Sequence, residues 1–255
     1  MKAIYTKQDK ALDVHSWNTV FLSNHDNPRV VSAFGDDSAR FRVASAKLLA
    51  TMLLTLKGTP FIYQGDELGM TNYPFTSIDQ FDDIEVKNGW KADGLTGKVN
   101  VEAYIANLRK TSRDNSRTPM QWDGSANGGF TTGAKAWLAV NPNTKEINAA
   151  AETKDAGSVY SYFSRMVKLR EKTPALVYGD FVDLDPENAH VFAYARTLGA
   201  EKYLVLLNFS GDDVRYSLPQ GMKTGTLLIT NLTGLQPRNA IMTTLQAWEA
   251  RIYRQ

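Results

Sequence analysis

Three short stretches carry groups that could do chemistry. In "SNHDNPR", Ser23 to Arg29, the imidazole of His25 stands beside the carboxylate of Asp26, directly after the apolar run Val20-Phe21-Leu22. A carboxylate at the end of a buried strand can stabilise developing positive charge. A neighbouring imidazole can donate a hydrogen bond to a substrate hydroxyl. Asp-Asn-Pro is equally a turn sequence, so the heptad alone leaves an active-site wall and an ordinary turn both open. In "YQGDELGMTNYPF", Asp66 and Glu67 again follow an apolar run and read as loop anchors or helix caps rather than acid and base. In "SRDNSRTPMQW", Arg113 and Arg117 flank Asp114. They read either as a solvated ion-pair face or as planar forks suited to a carboxylate or to sugar hydroxyls.

Other chemistries lack their groups. There is no cysteine, which excludes disulfides and thiolate metal sites. The sequence has no HExxH and no GxSxG, and "DGSANGGF" lacks the helix and lysine of a phosphate loop. His15, His25 and His190 are too far apart in sequence to suggest a zinc site. No metal and no cofactor is expected.

The elements that position these groups follow from patterning. Val20–Ser23 reads as a short, fully buried strand and Thr59–Tyr63 as a second. Between them, "SARFRVASAKLLATMLLTLK" has apolar residues at helical spacing, Phe41, Leu48, Leu49, Met52, Leu53 and Leu56. Asp36 or Asp37 is the expected cap at its start and Gly58 at its end. Strand, helix and strand with short joints form a βαβ unit, which demands a parallel pair. From about Gln64 to Ala156 the chain is polar, with one expected helix at Val101–Lys110. So long an excursion is usually functional or disordered, and "RTPMQW" and "GGFTTG" hold too many aromatics for plain disorder. A helix with an apolar stripe of Tyr162, Phe163, Met166, Val167 and Leu169 follows.

After Pro174 the texture changes. "GDFVDL", "HVFAYART", "KYLVLLNFS", "GTLLITNL" and "WEARIYR" are short and β-rich, with turn residues between them. They predict an antiparallel sheet or sandwich and a boundary near 175, giving domains 1–174 and 175–255. The 255 residues have a net charge of +2, with 43% hydrophobic and 22% charged residues, ordinary globular values. The scattered basic residues argue against a nucleic-acid partner. No run reaches the length of a membrane span, and "MKAIYTKQDKALD" lacks the apolar stretch of a secretory signal. A soluble, cytoplasmic protein is expected.

Together, and in this order, "FLSNHDNPR", "GTPFIYQGDELGMTNYPF", "IDQFDDIE" and "SRDNSRTPMQWDGSANGGFTTG" resemble glycoside hydrolase family 13, the α-amylase superfamily, in its oligo-1,6-glucosidase and α-glucosidase branch. The resemblance covers nearly the whole chain. It implies the C-terminal part of a (β/α)8 barrel, here its seventh and eighth strands, followed by an all-β domain, so the fold class is α/β plus all-β. It implies that Asp26 is the carboxylate supporting an oxocarbenium-like transition state and that His25 grips glucose hydroxyls. Arg113 matches an arginine that pairs with an N-terminal aspartate at the pocket floor, and Arg117 a second pocket arginine. The implied substrate is a gluco-oligosaccharide.

One departure is decisive. Retaining glycosidases use two carboxylates about 5–5.5 Å apart, and in this family they sit on the fourth and fifth barrel strands, for which these residues hold no counterpart. The chain is therefore expected to be the C-terminal portion of such an enzyme, inactive alone. Its open strand edges are expected to self-associate or to bind a complementary N-terminal fragment. Trehalose synthases and sucrose isomerases share these motifs and remain alternatives. So do a non-catalytic family-13-like partner protein and a fragment with no function of its own.

Overall fold

The computed structural model describes residues 2–12, 16–234 and 240–255; His15, weighed above as a metal ligand, lies outside them. Along the chain come helix α1 (Lys2–Ala11), strand β1 (Thr19–Val20), α2 (Val30–Phe34), α3 (Arg42–Thr55), β2 (Thr59–Pro60), α4 (Ile84–Gly89), α5 (Val101–Thr111), α6 (Asp114–Arg117), α7 (Ala149–Glu152), α8 (Val159–Glu171) and α9 (Pro174–Tyr178). Seven strands follow: β3 (Asp180–Asp183), β4 (Val191–Leu198), β5 (Glu201–Asn208), β6 (Val214–Ser217), β7 (Thr226–Thr230), β8 (Met242–Leu245) and β9 (Ala250–Arg254). The chain forms two compact units. One comprises Met1–Phe21, Ser38–Phe61 and Tyr162–Gln255, the other Leu22–Asp37 and Ile62–Ser161.

In the first unit β1 and β2 pair in parallel, Thr19 with Thr59 and Val20 with Pro60. The amide of Thr59 donates to Asn18 O (2.9 Å) and that of Phe61 to Val20 O (2.8 Å). The ladder is shorter than the expected Val20–Ser23 and Thr59–Tyr63, and Pro60 has no N–H to extend it. Helix α3 is shorter than expected too. It starts after Phe41 with no side-chain cap, so Asp36 and Asp37 do not serve, and Leu56 closes it. Every residue from Ser45 to Thr55 is buried, so α3 is covered all round rather than along one stripe. Its C-terminal carbonyls meet two buried guanidinium groups. Arg170 donates to Leu54 O (2.9 Å), Leu56 O (3.0 Å) and Gly58 O (2.6 Å), and Arg196 donates to Thr55 O. Cations there satisfy orphan carbonyls and complement the helix dipole. Gly58 turns the chain into β2 at φ +129°, where a Cβ would lie 2.7 Å from Asn18 O.

The C-terminal antiparallel sheet expected from the sequence is present, with strand order β3-β4-β5-β9-β7. Strands β6 and β8 form a further antiparallel pair, which the spacing did not reveal. On one sheet face Val191, Ala193, Leu204 and Leu206 pack with Tyr216, Leu218 and Leu245. On the other, the Phe192 and Tyr194 rings pack at a tilt, 4.7 Å between centroids, and Tyr194 hydrogen-bonds Thr55 of α3. Burial on both faces explains why β4 is apolar from Val191 to Ala195 instead of alternating.

The second unit is the polar stretch, and it is ordered. Beyond α5 it contains short helices and 3₁₀ turns too brief to leave a periodic pattern, at Asp66–Leu68, Ile78–Gln80 and Pro142–Lys145 among others. Side chains start them: Asn100, Asn148, Asn141 and Asp83 each accept a backbone N–H at a helix start. Small apolar clusters fill the interior, one around Phe75 and Phe81, stacked at 4.0 Å. Among the described residues no helix is long and apolar enough to cross a membrane.

Candidate active site

After Leu22 the chain turns through Asn24. The side-chain oxygen of Asn24 accepts from the Asp26 amide (2.8 Å) and from Asn27 Nδ2 (2.7 Å). This Asx turn presents His25 and Asp26, with side chains 69% and 49% exposed. Helix α6 supplies the second wall. Arg117 donates from Nε to His25 O (2.9 Å) and from Nη2 to Asp26 Oδ1 (2.8 Å). Arg113 Nη1 faces the same oxygen at 3.7 Å. The other oxygen, Oδ2, lies 3.3 Å from His25 Nε2. All four residues singled out in the sequence thus meet around one carboxylate. The turn expected in "SNHDNPR" is present, and it places His25 and Asp26 beside Arg117.

Two residues that hold the cluster were not singled out. Asp83 takes Arg113 in a bidentate grip, Nε to Oδ2 at 2.7 Å and Nη2 to Oδ1 at 2.5 Å. That hydrogen bonding holds its carboxyl below the ordinary aspartate range. Asp83 also caps α4 through the Glu85 amide (3.0 Å). Its sequence signal was its place in "IDQFDDIE", one of the stretches that carry the family resemblance. Asp114, which looked like a partner for the flanking arginines, is buried instead and accepts from the amides of Asp82 (2.7 Å) and Asp83 (2.9 Å). It fixes the backbone that offers Asp83 to Arg113.

The second residue is Arg29, 1% exposed. Its guanidinium donates to Gln64 O (2.7 Å), Asn115 O (3.2 Å) and Thr118 O (3.2 Å), and its amide donates to Asn72 Oδ1 (2.9 Å). Arg29 therefore ties the His25–Asp26 turn to the loop after Tyr63 and to the segment carrying Arg117. An arginine between Pro28 and the apolar Val30-Val31 was the available hint. Nearby, Asp66 accepts from Ser23 Oγ (2.5 Å) and the Tyr63 amide (3.3 Å). Burial pushes its carboxyl up to about 6, while those two hydrogen bonds and Arg29 pull the other way. Glu67 accepts from the Gly65 amide (2.8 Å), an anchor as the sequence suggested. Among the described residues no group of three His, Cys, Asp or Glu side chains could hold a metal ion.

The arrangement is an open carboxylate framed by two arginines and an imidazole. It can accept hydroxyl hydrogen bonds and oppose positive charge developing in front of it. The family model "Alpha amylase, catalytic domain" matches residues 1–179, and "Alpha-amylase SusG C-terminal domain" matches 191–252. The oligo-1,6-glucosidase of Parageobacillus thermoglucosidasius is 42% identical over 256 residues, covering 100% of this chain and 45% of its own length. A trehalose-6-phosphate hydrolase of Bacillus subtilis is 41% identical, over 93% of this chain and 42% of its own length. Among solved structures, the trehalulose synthase MutB of Pseudomonas mesoacidophila MX-45 superposes with a TM-score of 0.95 at 50% identity, over 99% of this chain and 46% of its own. An isomaltulose synthase of Erwinia rhapontici NX5, crystallised with sucrose, gives 0.94 at 49% identity, over 99% of this chain and 45% of its own. The chain thus spans about 45% of the length of the oligo-1,6-glucosidase it matches.

Proposed function

The chain belongs to the α-amylase family, and from that premise we propose that residues 1–255 supply one wall of the active site of a retaining α-glucosidase acting on α-1,6- and α-1,4-linked gluco-oligosaccharides. The observation that carries this is the carboxylate of Asp26, gripped by Arg117 at 2.8 Å and faced by Arg113 and His25. Glycosidic cleavage passes through a state with positive charge on the sugar ring and its oxygen. Asp26 opposes that charge. Its frame of fixed donors needs little reorganisation as the charge develops. His25 and the arginines take sugar hydroxyls and hold Asp26 in place.

We read β1 and β2 as the last two strands of a (β/α)8 barrel, with about 1–174 in the barrel and 175–255 as the all-β domain. The parallel pairing and the intervening α3 support this. The nucleophile and the acid/base then come from outside residues 1–255, and a complementary chain segment is the required partner. The absence of cysteine fits a reducing compartment, and we assign the protein to the cytoplasm. A second reading, sucrose isomerisation, is favoured by the 50% identity to trehalulose synthase, and product analysis of the assembled enzyme on sucrose separates transfer from hydrolysis.

The direct test of the incomplete site is to incubate residues 1–255 alone with p-nitrophenyl α-glucoside, isomaltose and maltose. No release above a buffer control is expected. Sustained turnover that disappears in Asp26→Ala would show that these residues already hold a complete site.

A further inference from the structure

A cavity of about 840 Å³ lies in the second unit between the 78–95 segment and the 126–140 loop. That size is in the range of small-molecule sites. None of His25, Asp26, Arg113 or Arg117 lines it, although Phe81 and Asp82 do, immediately before the Asp83 that grips Arg113. Three features of its walls point to one class of ligand.

The first is Trp90. It opens a single π-helical turn, Trp90–Gly94, at the end of α4. Such turns are rare and concentrate at functional sites. Gly94 lies directly over the Trp90 indole, where any Cβ would collide with the ring, and Tyr104 lies against it at 5.7 Å. The indole is therefore fixed before any ligand arrives, which lowers the ordering cost of stacking on it. The second is Trp137, on the 126–140 loop, 58% exposed. Both indoles line the same concave space and offer it flat apolar surface. The third is charge. Lysines and aspartates mix along the walls, and Lys87 is paired with Asp82. No single-sign cluster stands ready for a phosphate or a carboxylate. A neutral ring with apolar faces and hydroxyl edges matches all three features.

We propose that this cavity is a second saccharide site, binding a neutral oligosaccharide of two or more glucose units between Trp90 and Trp137, apart from the Asp26 cluster. The choice of glucose rests on the functional reading above; the choice of a stacked neutral sugar rests on the cavity.

Isothermal titration and saturation-transfer NMR of the full chain with isomaltotriose and maltotriose test it. Millimolar binding is expected. Trp137→Ala and Trp90→Ala should each weaken it about tenfold, the equivalent of roughly 1.4 kcal/mol. Trp137→Phe, which keeps a ring, should retain most of it, and Asp26→Ala should leave it unchanged. Circular dichroism checks that each variant is folded. No binding by the wild type would overturn the proposal, as would equal affinity in folded tryptophan variants, or saturation by inorganic phosphate in place of sugar. Binding lost in Asp26→Ala and kept in Trp137→Ala would move the sugar to the Asp26 cluster, refuting the second site while supporting the active-site reading.

Discussion

At the scale of single residues, the buried Asp66 makes a measurable prediction. Its carboxyl titrates at about 6 in the fold, against roughly 3.9 in an unfolded chain. The folded state holds the proton more tightly, so stability is favoured while Asp66 is protonated. That advantage falls as pH rises from about 4 through 6, by about 3 kcal/mol in all. Urea midpoints for wild type and Asp66→Asn between pH 4 and 7 should converge at the acid end relative to neutral pH, with the variant losing this component of the slope. Parallel pH profiles would refute it. Asp83 behaves in the opposite sense. The bidentate hydrogen bonds from Arg113 hold its carboxyl below the usual range, so its stabilisation is present above about pH 4 and is lost on acidification. Arg113→Ala should remove that acid-side component, seen as a flatter acid-denaturation curve. The residues that cluster around Asp26 were legible because His25-Asp26 and Arg113/Arg117 sit in dense motifs. Asp83 and Arg29 were not, because their roles depend on partners that are distant in sequence: Asn115 O lies 86 positions from Arg29.

At the scale of elements, helix α3 depends on groups outside itself. The guanidinium of Arg170 serves four carbonyls, those of Leu54, Leu56, Leu176 and Gly58. Removing it strands several buried acceptors. Arg170→Leu should cost about 3 kcal/mol or more by denaturant titration, and a loss below 1 kcal/mol would contradict this accounting. Gly58→Ala should cost about 2 kcal/mol, because the left-handed backbone has no room for a Cβ. The strands of the C-terminal sheet pair among themselves over long registers, eight residues between β4 and β5, whereas β1 and β2 share two pairs. Hydrogen exchange should therefore protect β4, β5 and β9 more than β1 and β2; equal protection would count against it. The long strands and α5 and α8 were readable from periodicity. Strands β6 and β8 were missed because each fully buries a single residue, Tyr216 and Leu245, so neither "VRYS" nor "MTTL" carries an apolar run. Helix α3 was read as striped because its buried Ser45, Lys47, Thr51 and Thr55 look solvent-facing in sequence.

At the scale of the whole molecule, the sheet formed by β1 and β2 has two strands and the aromatic residues following them are open, with Phe21 52% and Phe61 56% exposed. Covering a large apolar side chain is worth about 1.5–3 kcal/mol, and unpaired strand edges recruit further chain. Light scattering at micromolar concentration should show self-association of residues 1–255 unless a complementary segment is supplied. A monomer that binds no apolar dye would contradict this. The proposed role of Asp26 is to complete an α-glucosidase site whose other carboxylates lie elsewhere. Its most direct test is a chimera in which residues 1–255 replace the matching 45% of the Parageobacillus oligo-1,6-glucosidase. The chimera should hydrolyse isomaltose, and Asp26→Asn in it should lower kcat roughly 10²–10³-fold. A folded chimera without activity, or one whose activity survives Asp26→Asn, would contradict the account.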